Sequence, residues 1–327
     1  MSFANYLKEI GRGESGARDL SEQDAYQLYS AMLDGGVPDL ELGGIVLAMR
    51  IKTESLGELL GFHQAASERL LVLHSPSTSF KPIVIPTYNG ARHQPNLLPL
   101  LALMLQRFGI PVLLHGTLEG HGRVATAYIL RELGIMPQPS LTAAQKALDE
   151  EGLAFVPIAA ISPGLANLMG LRHRLGLRNS AHTIVKLIEP FAEECVRLVS
   201  VSHPAYLDKM REFFSATAST ALLMRGTEGE AFANPKRRPQ IDYMEAGRHT
   251  ILFEAEIGTV KILPPLPDNR EAATTAAWIR DCLAGRVPVP YPIVNQLACC
   301  LFVSGYTDDM NQAKAIAAVE TGSLAAA

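Results

Sequence analysis

From residue 82 onward the chain alternates short β-branched runs with longer apolar stretches, and that alternation admits few folds. PIVI (82–85) leads to an apolar helical stretch from about Asn96 to Phe108. PVLLH (111–115) leads through a Gly-rich turn to RVATAYILREL (123–133), and LAFVPI (153–158) follows. Strand, helix, strand, helix predicts an α/β domain with a parallel core. SPGLANLMGLRHRL (162–175) reads as a helix with Ser162 as cap and Pro163 at its first position. CVRLVSVS and TALLMRG are strand-like, with YLDKMREFFSA helical between them. HTILFEAEI and VKILP read as a strand pair, and EAATTAAWIRDCLAG and YPIVNQLACCLFVSG as closing helices.

Residues 1–73 carry helical signals instead. Ser21 with Asp24 resembles a capping box, and Gly35–Gly36 ends that helix. Ser55 with Glu58 is a full capping box for a helix through Leu71. HSPSTSFKP (74–82) reads as a linker. A chain of 327 residues exceeds the usual size of one core, so a helical domain over 1–73 and an α/β domain over 74–327 are expected. No apolar run is long enough to cross a bilayer, and MSFANYLKEIGRG has no signal-peptide pattern. Cys195, Cys282, Cys299 and Cys300 form no CxxC, which suits reduced core thiols and a cytoplasmic location.

The net charge of −4 argues mildly against a polyanionic partner, but the charge is unevenly spread. Positions 69–118 contain no acid, where 33 acids in 327 residues would place about five. That window holds Arg69, Lys81, Arg92 and Arg107. A second acid-free window, 152–188, holds Arg172, Arg174, Arg178 and Lys186 with His173 and His182. Burial of core segments explains missing acids. It does not explain why bases survive there.

The stretch PTYNGARHQPNLLPLL (86–101) runs from a strand through a turn into a helix, a layout that presents unpaired backbone N–H groups to an anion. Asn89, Gly90, Arg92 and Asn96 belong to this turn, with Asn96 read as the N-cap. The alternative is a plain tight turn, since Asn-Gly is common in turns. LHGTLEGHGR (114–123) is a second such turn, but its histidines match no common metal spacing. Arg172 shares a helix face with Leu165, Leu168 and Leu175, so it either meets a ligand or snorkels along the core edge. Lys236, Arg237 and Arg238 lie between two prolines, as a solvated loop tip or as a phosphate-contacting arm. Lys209 and Arg211 extend that basic character, with Asp208 and Glu212 beside them.

These residues resemble anthranilate phosphoribosyltransferase over nearly the whole chain. ARDLSEQDAYQLYSAMLDGGVPDLELGGIVLAMRIKTESLGELLGF (17–62) is similar to that family's helical dimerisation domain, and 283–305 to its closing helices. The resemblance implies a nucleoside phosphorylase/phosphoribosyltransferase-type fold: a small N-terminal helical domain, joined by a helix from about 162–190, and a larger α/β domain with a mostly parallel central sheet. The departures lie in the chemistry. The family's Gly-Thr-Gly-Gly-Asp becomes PTYNGAR; its Asn-Ile-Ser-Thr becomes NLLP, keeping Asn96 but placing Leu98 and Pro99 at the hydroxyl positions. Its Lys-His-Gly-Asn-Arg becomes LHGTL, keeping His115 and Gly116. Its metal-binding Asp-Glu pair becomes Ala231 and Phe232 within GTEGEAF (226–232), and Arg172 sits at its anthranilate-side arginine.

Pyrophosphate departure needs magnesium to neutralise developing charge. Each lost charge-assisted hydrogen bond removes about 1.5–3 kcal/mol from a substrate affinity of order −6 to −8 kcal/mol. The ordinary transferase reaction is therefore expected to be lost. Asn89, Gly90, Arg92, Asn96, His115 and Gly116 are then a vestigial anion site, with no catalytic residue, no metal and no cofactor. The chain resembles the YbiB-type branch of that family, through IVIPTYNGAR and VPDLELGG. That branch implies a non-enzymatic homodimer binding DNA and RNA without strong sequence preference on a basic surface. Arg172, Arg174, Arg178, Lys209, Arg211, Lys236, Arg237 and Arg238 would carry the contacts. The alternative is a phosphoribosyltransferase with an altered acceptor, which would still need magnesium.

Overall fold

The computed structural model describes residues 2–13, 15–260 and 263–322. The chain opens with helices α1 (Phe3–Ile10), α2 (Glu22–Leu33), α3 (Asp39–Lys52) and α4 (Leu56–Ser67). The elements β1 (Ile83–Thr87), α5 (Leu98–Arg107), β2 (Val112–Gly116), α6 (Thr126–Glu132), α7 (Leu141–Glu151) and β3 (Leu153–Pro157) follow. Next come the helices α8 (Ile158–Ile161), α9 (Pro163–Leu175) and α10 (Ala181–Ile184). Then come β4 (Val196–Val201), α11 (Ala205–Thr217), β5 (Ala221–Arg225), β6 (Ile241–Glu245) and β7 (Arg248–Phe253). Helices α12 (Ala272–Leu283), α13 (Tyr291–Val303) and α14 (Met310–Glu320) close the chain.

Two compact units result. One comprises 1–72 with 158–190 and is helical; the other comprises 73–157 with 191–327 and holds the sheet. In the helical unit the capping box at Ser55 and Glu58 forms, and it does more than cap. The buried Glu58 carboxylate also takes the Leu20 N–H at 2.9 Å and the Lys52 ammonium at 2.7 Å. One carboxylate thus ties α4 to the end of α3 and to the lead-in of α2, because a buried charge is tolerated only when its lone pairs are filled.

The sheet has seven strands in the order β3-β2-β1-β4-β5-β6-β7. The first five are parallel and β6 and β7 are antiparallel, giving the mostly parallel sheet expected from the alternation. Strands β1, β2 and β4 are buried along their whole length, as parallel strands covered on both faces must be. Helix α13 lies in this core with Ile293, Leu297, Ala298 and Leu301 all buried. All four cysteines are buried and unbridged. Because β2 lies on one side of β1 and β4 on the other, the chain reverses direction across the sheet there. Such a switch point opens a crevice at the carboxyl ends of the strands, where ligands bind in open α/β sheets.

Several local readings need correction. HTILF does form a strand, and among the described residues its partner is β6. Ala246 and Gly247, with φ of 49° and 76°, make the two-residue hairpin turn that fixes this pairing. Lys261 and Ile262 of VKILP lie outside the described residues. Helix α4 ends at Ser67, short of Leu71. Asn96 is not the N-cap of α5; Leu97 is, and the Asn96 side chain accepts the Leu98 N–H from one residue earlier. The alternation read from sequence also omits α7, which Ser140 caps through the Ala143 N–H, and α14.

Candidate functional site

The site forms where β1 ends. Past Thr87 the chain turns through residues 88–97 before α5, at the carboxyl edge of the sheet. The turn is pinned from below by a two-way backbone pairing of Ala91 with Val124 at 2.8–2.9 Å. It therefore presents a fixed row of N–H groups, as the sequence requires of an anion cradle. Those groups are already filled by two carboxylates of the same chain.

Glu230 lies in the loop after β5 and is fully buried. One carboxylate oxygen accepts the N–H groups of Asn89 and Gly90, each at 2.7 Å. The other accepts the Thr87 hydroxyl at 2.5 Å. Glu228, two residues earlier, accepts the N–H of Arg92 at 2.8 Å on one oxygen and those of His93 and Gln94 at 2.9 Å on the other. Five backbone donors and one hydroxyl are thus committed to internal anions. Hydrogen bonds to a charged acceptor are roughly twice as strong as neutral ones, which offsets the desolvation of both acids.

The loop that delivers the acids is itself held. Asn89 donates its side-chain amide to the Glu228 carbonyl at 2.8 Å, and Ser200 at the end of β4 donates to the Gly229 carbonyl at 3.2 Å. The Gln296 side chain on α13 takes the Ala233 N–H and donates to the Ala231 carbonyl. Gly229 has φ +90°, and a Cβ there would stand 2.0 Å from the Asn89 amide nitrogen, so a side chain would strain the backbone and displace that amide. Thr87, Thr126 and Asn96 form a buried chain, with hydroxyl to hydroxyl 2.6 Å and amide to hydroxyl 2.9 Å.

The sequence-derived anion site is therefore present in part. Asn89, Gly90 and Arg92 contribute backbone donors, but to internal acids. Asn96 serves the buried Thr126. His115 is 1 % exposed, and its Nδ1 has no hydrogen-bond partner among the described residues. Burial lowers its pKa to about 3, so it stays neutral and offers an anion no charge. Gly116 is a packing residue: a Cβ would lie 1.5 Å from the Thr87 carbonyl oxygen of the adjacent strand.

Magnesium does not fit this arrangement. The positions that match the family's acidic pair hold Ala231 and Phe232, both buried and apolar. The nearby carboxylates have their oxygens turned to N–H donors. Among the described residues no group of three or more His, Cys, Asp and Glu side chains is placed to hold a metal.

Several of the basic residues have partners within the chain. Arg211 is bound to the buried Asp242 at 2.6 Å and to Asp208 at 2.7 Å, which locks α11 to β6 and removes it from the free basic surface expected of it. Arg174 pairs with Asp39 at 3.2 Å, and Arg238 with Glu256 at 3.6 Å. Lys209 lies over the Tyr206 ring. Lys236 and Arg237 are exposed. In the helical unit, Arg178, Arg172 and Lys186 converge electrostatically on His182. Burial first, and then those cations, lowers the His182 pKa to about 3. The apolar face of α9 ends at Met169, and Leu175 is exposed, so Arg172 sits where that face opens to solvent.

The first acid-free window is not one basic patch. Arg69 pairs with Asp34, Lys81 with Glu194 and Glu245, and Arg107 donates to the Leu283 carbonyl. Acids from outside the window answer Arg69 and Lys81, and Glu228 and Glu230 answer backbone donors of its turn.

The residues that sequence reasoning missed are Glu228, Glu230, Thr87 and Arg123, whose guanidinium lies 3.9 Å from Glu228. The sequence carries these acids as Glu-Gly-Glu, but nothing in it sets them opposite the N–H donors of the acid-free turn.

Comparison with known proteins agrees with this architecture. Residues 4–69 match the model of the helical bundle domain of a glycosyl transferase family. The chain is 47% identical over 306 residues to the uncharacterized protein YbiB of Escherichia coli K12, covering 93% of this chain and 95% of that one. It is 24% identical over 298 residues to anthranilate phosphoribosyltransferase of Methanopyrus kandleri, covering 89% and 86%. In fold it is similar to anthranilate phosphoribosyltransferase from Thermus thermophilus, with TM-score 0.74, 20% identity and coverage of 97% and 94%. The Saccharomyces cerevisiae enzyme, solved in complex with PRPP and Mg, gives TM-score 0.74 at 13% identity, covering 98% and 93%.

Proposed function

Since the chain belongs to the anthranilate phosphoribosyltransferase-like family, we propose that it uses that scaffold as a homodimeric DNA- and RNA-binding protein and not as a transferase. The observation that carries this reading is the filled cradle. The N–H groups of 89, 90 and 92–94, in the turn that resembles the family's donor-binding loop, hold Glu230 and Glu228. A diphosphate would have to expel two hydrogen-bonded carboxylates and then bind without acids for its metal.

Two features support a polyanionic partner. Arg172, Arg178 and Lys186 all act electrostatically on His182, and Lys236 and Arg237 stand exposed in a proline-bounded loop. With 6% aromatic residues the chain is suited to backbone contacts more than to base stacking. Dimerisation is supported by α3, which exposes Leu40, Leu47 and Ile51 (86%, 46% and 65%) at spacings of seven and four. A contiguous apolar stripe of this kind marks an interaction surface. Among the described residues no helix is long and apolar enough to cross a membrane.

The test is a filter-binding titration of single- and double-stranded oligonucleotides at two ionic strengths. Affinity falls with salt by a log–log slope of about −0.7 to −0.9 per phosphate contacted. Binding that stays flat with salt contradicts the reading. The second reading, a phosphoribosyltransferase with an altered acceptor, is favoured by the near full-length match to anthranilate phosphoribosyltransferases.

A further inference from the structure

A cleft opens at the other edge of the sheet. It measures about 520 Å³ and is lined by residues that precede the parallel strands: 74–78 ahead of β1, Gly109 and Pro111 ahead of β2, and Gly152 ahead of β3. The last two turns of α7 form its remaining wall. The turn after β1 and the loop after β5 lie at the carboxyl ends of their strands, so this cleft is separate from the filled cradle. Its volume falls within the range of small-molecule sites, about 300–1,000 Å³. Its walls are held in place. The Gln145 side chain on α7 takes the His74 N–H at 2.8 Å and donates to the His74 carbonyl at 3.0 Å. Glu193 takes the Ser75 N–H at 2.8 Å and lies 3.0 Å from His74 Nδ1.

The polar groups left over at the rim are acceptors. A carboxylate only accepts, so the bond to Glu193 puts the hydrogen on His74 Nδ1 and leaves Nε2 of the neutral ring as an acceptor. Asp149 takes the Gln145 amide on one oxygen at 3.1 Å, and its other oxygen accepts no hydrogen bond among the described residues. Among those residues no Lys or Arg lines the cleft. The end of α7 adds to the negative character: Asp149, Glu150 and Glu151 crowd its carboxyl end with no base in the last turn, the reverse of what a helix dipole favours. Lys146, a turn earlier, pairs with Glu150 at 3.9 Å. Pro76, Pro111 and Leu148 supply apolar surface. We propose that this cleft binds a small organic amine, its ammonium group donating to Asp149 and His74 and its apolar body lying on Pro76, Pro111 and Leu148. This goes beyond the nucleic-acid reading and does not depend on it. An ammonium group has three donors and no acceptor, which matches an acceptor-only rim. Its hydrogen bonds to a carboxylate are charge-assisted, whereas a carboxylate ligand would meet Asp149 and the negative end of α7.

The test titrates the full-length protein with benzylamine, benzyl alcohol and benzoate, which share one apolar body and differ in the charge of the polar group. Binding is read from the backbone amide resonances. Two variants at exposed positions accompany the wild type: Asp149→Asn, which removes the charge and keeps the shape, and Ser77→Trp, which fills the cleft. Benzylamine is expected to shift the resonances of 74–78 and 145–152 and to bind about ten-fold more tightly than benzyl alcohol, with benzoate weakest. Asp149→Asn should bring benzylamine down to the level of benzyl alcohol, and Ser77→Trp should weaken both. The proposal is overturned if benzylamine leaves these resonances in place or binds no better than benzyl alcohol. It is equally overturned if Asp149→Asn keeps the full preference for the amine, or if Ser77→Trp binds the amine as the wild type does.

Discussion

Glu230 reaches back 140 residues to accept the Gly90 backbone N–H at 2.7 Å. Its second oxygen takes the Thr87 hydroxyl, so the acid-free turn after β1 receives its negative charge from the loop after β5. The turn has the geometry of an anion cradle, and its occupants are carboxylates of the same chain.

The first consequence concerns stability. Glu230→Ala leaves two backbone N–H groups and a hydroxyl without this acceptor in the interior, each at about 1–3 kcal/mol. A loss of about 3 kcal/mol or more is expected in urea unfolding. Glu230→Gln, which keeps an acceptor, should lose less.

Acid sensitivity follows from two buried histidines. His115 and His182 both have pKa values lowered from 6.5 to about 3, mainly by burial. The folded state holds them neutral, while the unfolded chain takes up protons below about pH 6.5. Their contribution to stability is therefore complete above pH 6.5 and is lost as pH falls toward 3, at about 1.4 kcal/mol per pH unit for each. Urea midpoints at pH 7 and pH 5 test this. Because His115 Nδ1 has no hydrogen-bond partner among the described residues, His115→Leu should cost less than about 1.5 kcal/mol at pH 7 and should flatten the acid slope.

Much of the sheet was legible because buried parallel strands declare themselves as short apolar runs. Val112–Gly116 and Leu153–Pro157 were visible that way. The hairpin of β6 and β7 was not, because IDYME mixes polar and apolar residues and its turn, Ala246-Gly247, lacks an Asn or Asp. The cradle's donors were legible because a strand–turn–helix sequence dictates exposed N–H groups. Its occupants were not, since the acids lie more than 130 residues away, and only the sheet order brings the loop after β5 to the end of β1. Arg211 shows the same limit: sequence shows a cation but not the buried Asp242 that neutralises it.

The helical unit supplies a test of assembly. Leu47 and Ile51 lie one turn apart on the exposed face of α3. Replacing both with Glu should convert a dimer to a monomer in sedimentation equilibrium without loss of helix content. A monomeric wild type contradicts dimerisation through this face.

For the basic loop, Lys236→Glu with Arg237→Glu should weaken oligonucleotide binding about equally across sequences. The salt dependence should become shallower by about 0.7–0.9 for each phosphate that the variant no longer touches. Arg211→Ala should instead act on stability, since it strips the buried Asp242 of its guanidinium partner.

A calorimetric titration of phosphoribosyl pyrophosphate into the wild-type protein, with and without magnesium, tests the central claim most directly. With the cradle filled by Glu228 and Glu230, no magnesium-dependent binding is expected. Micromolar binding that requires magnesium would show that the internal carboxylates yield to the donor, and the central claim would be wrong.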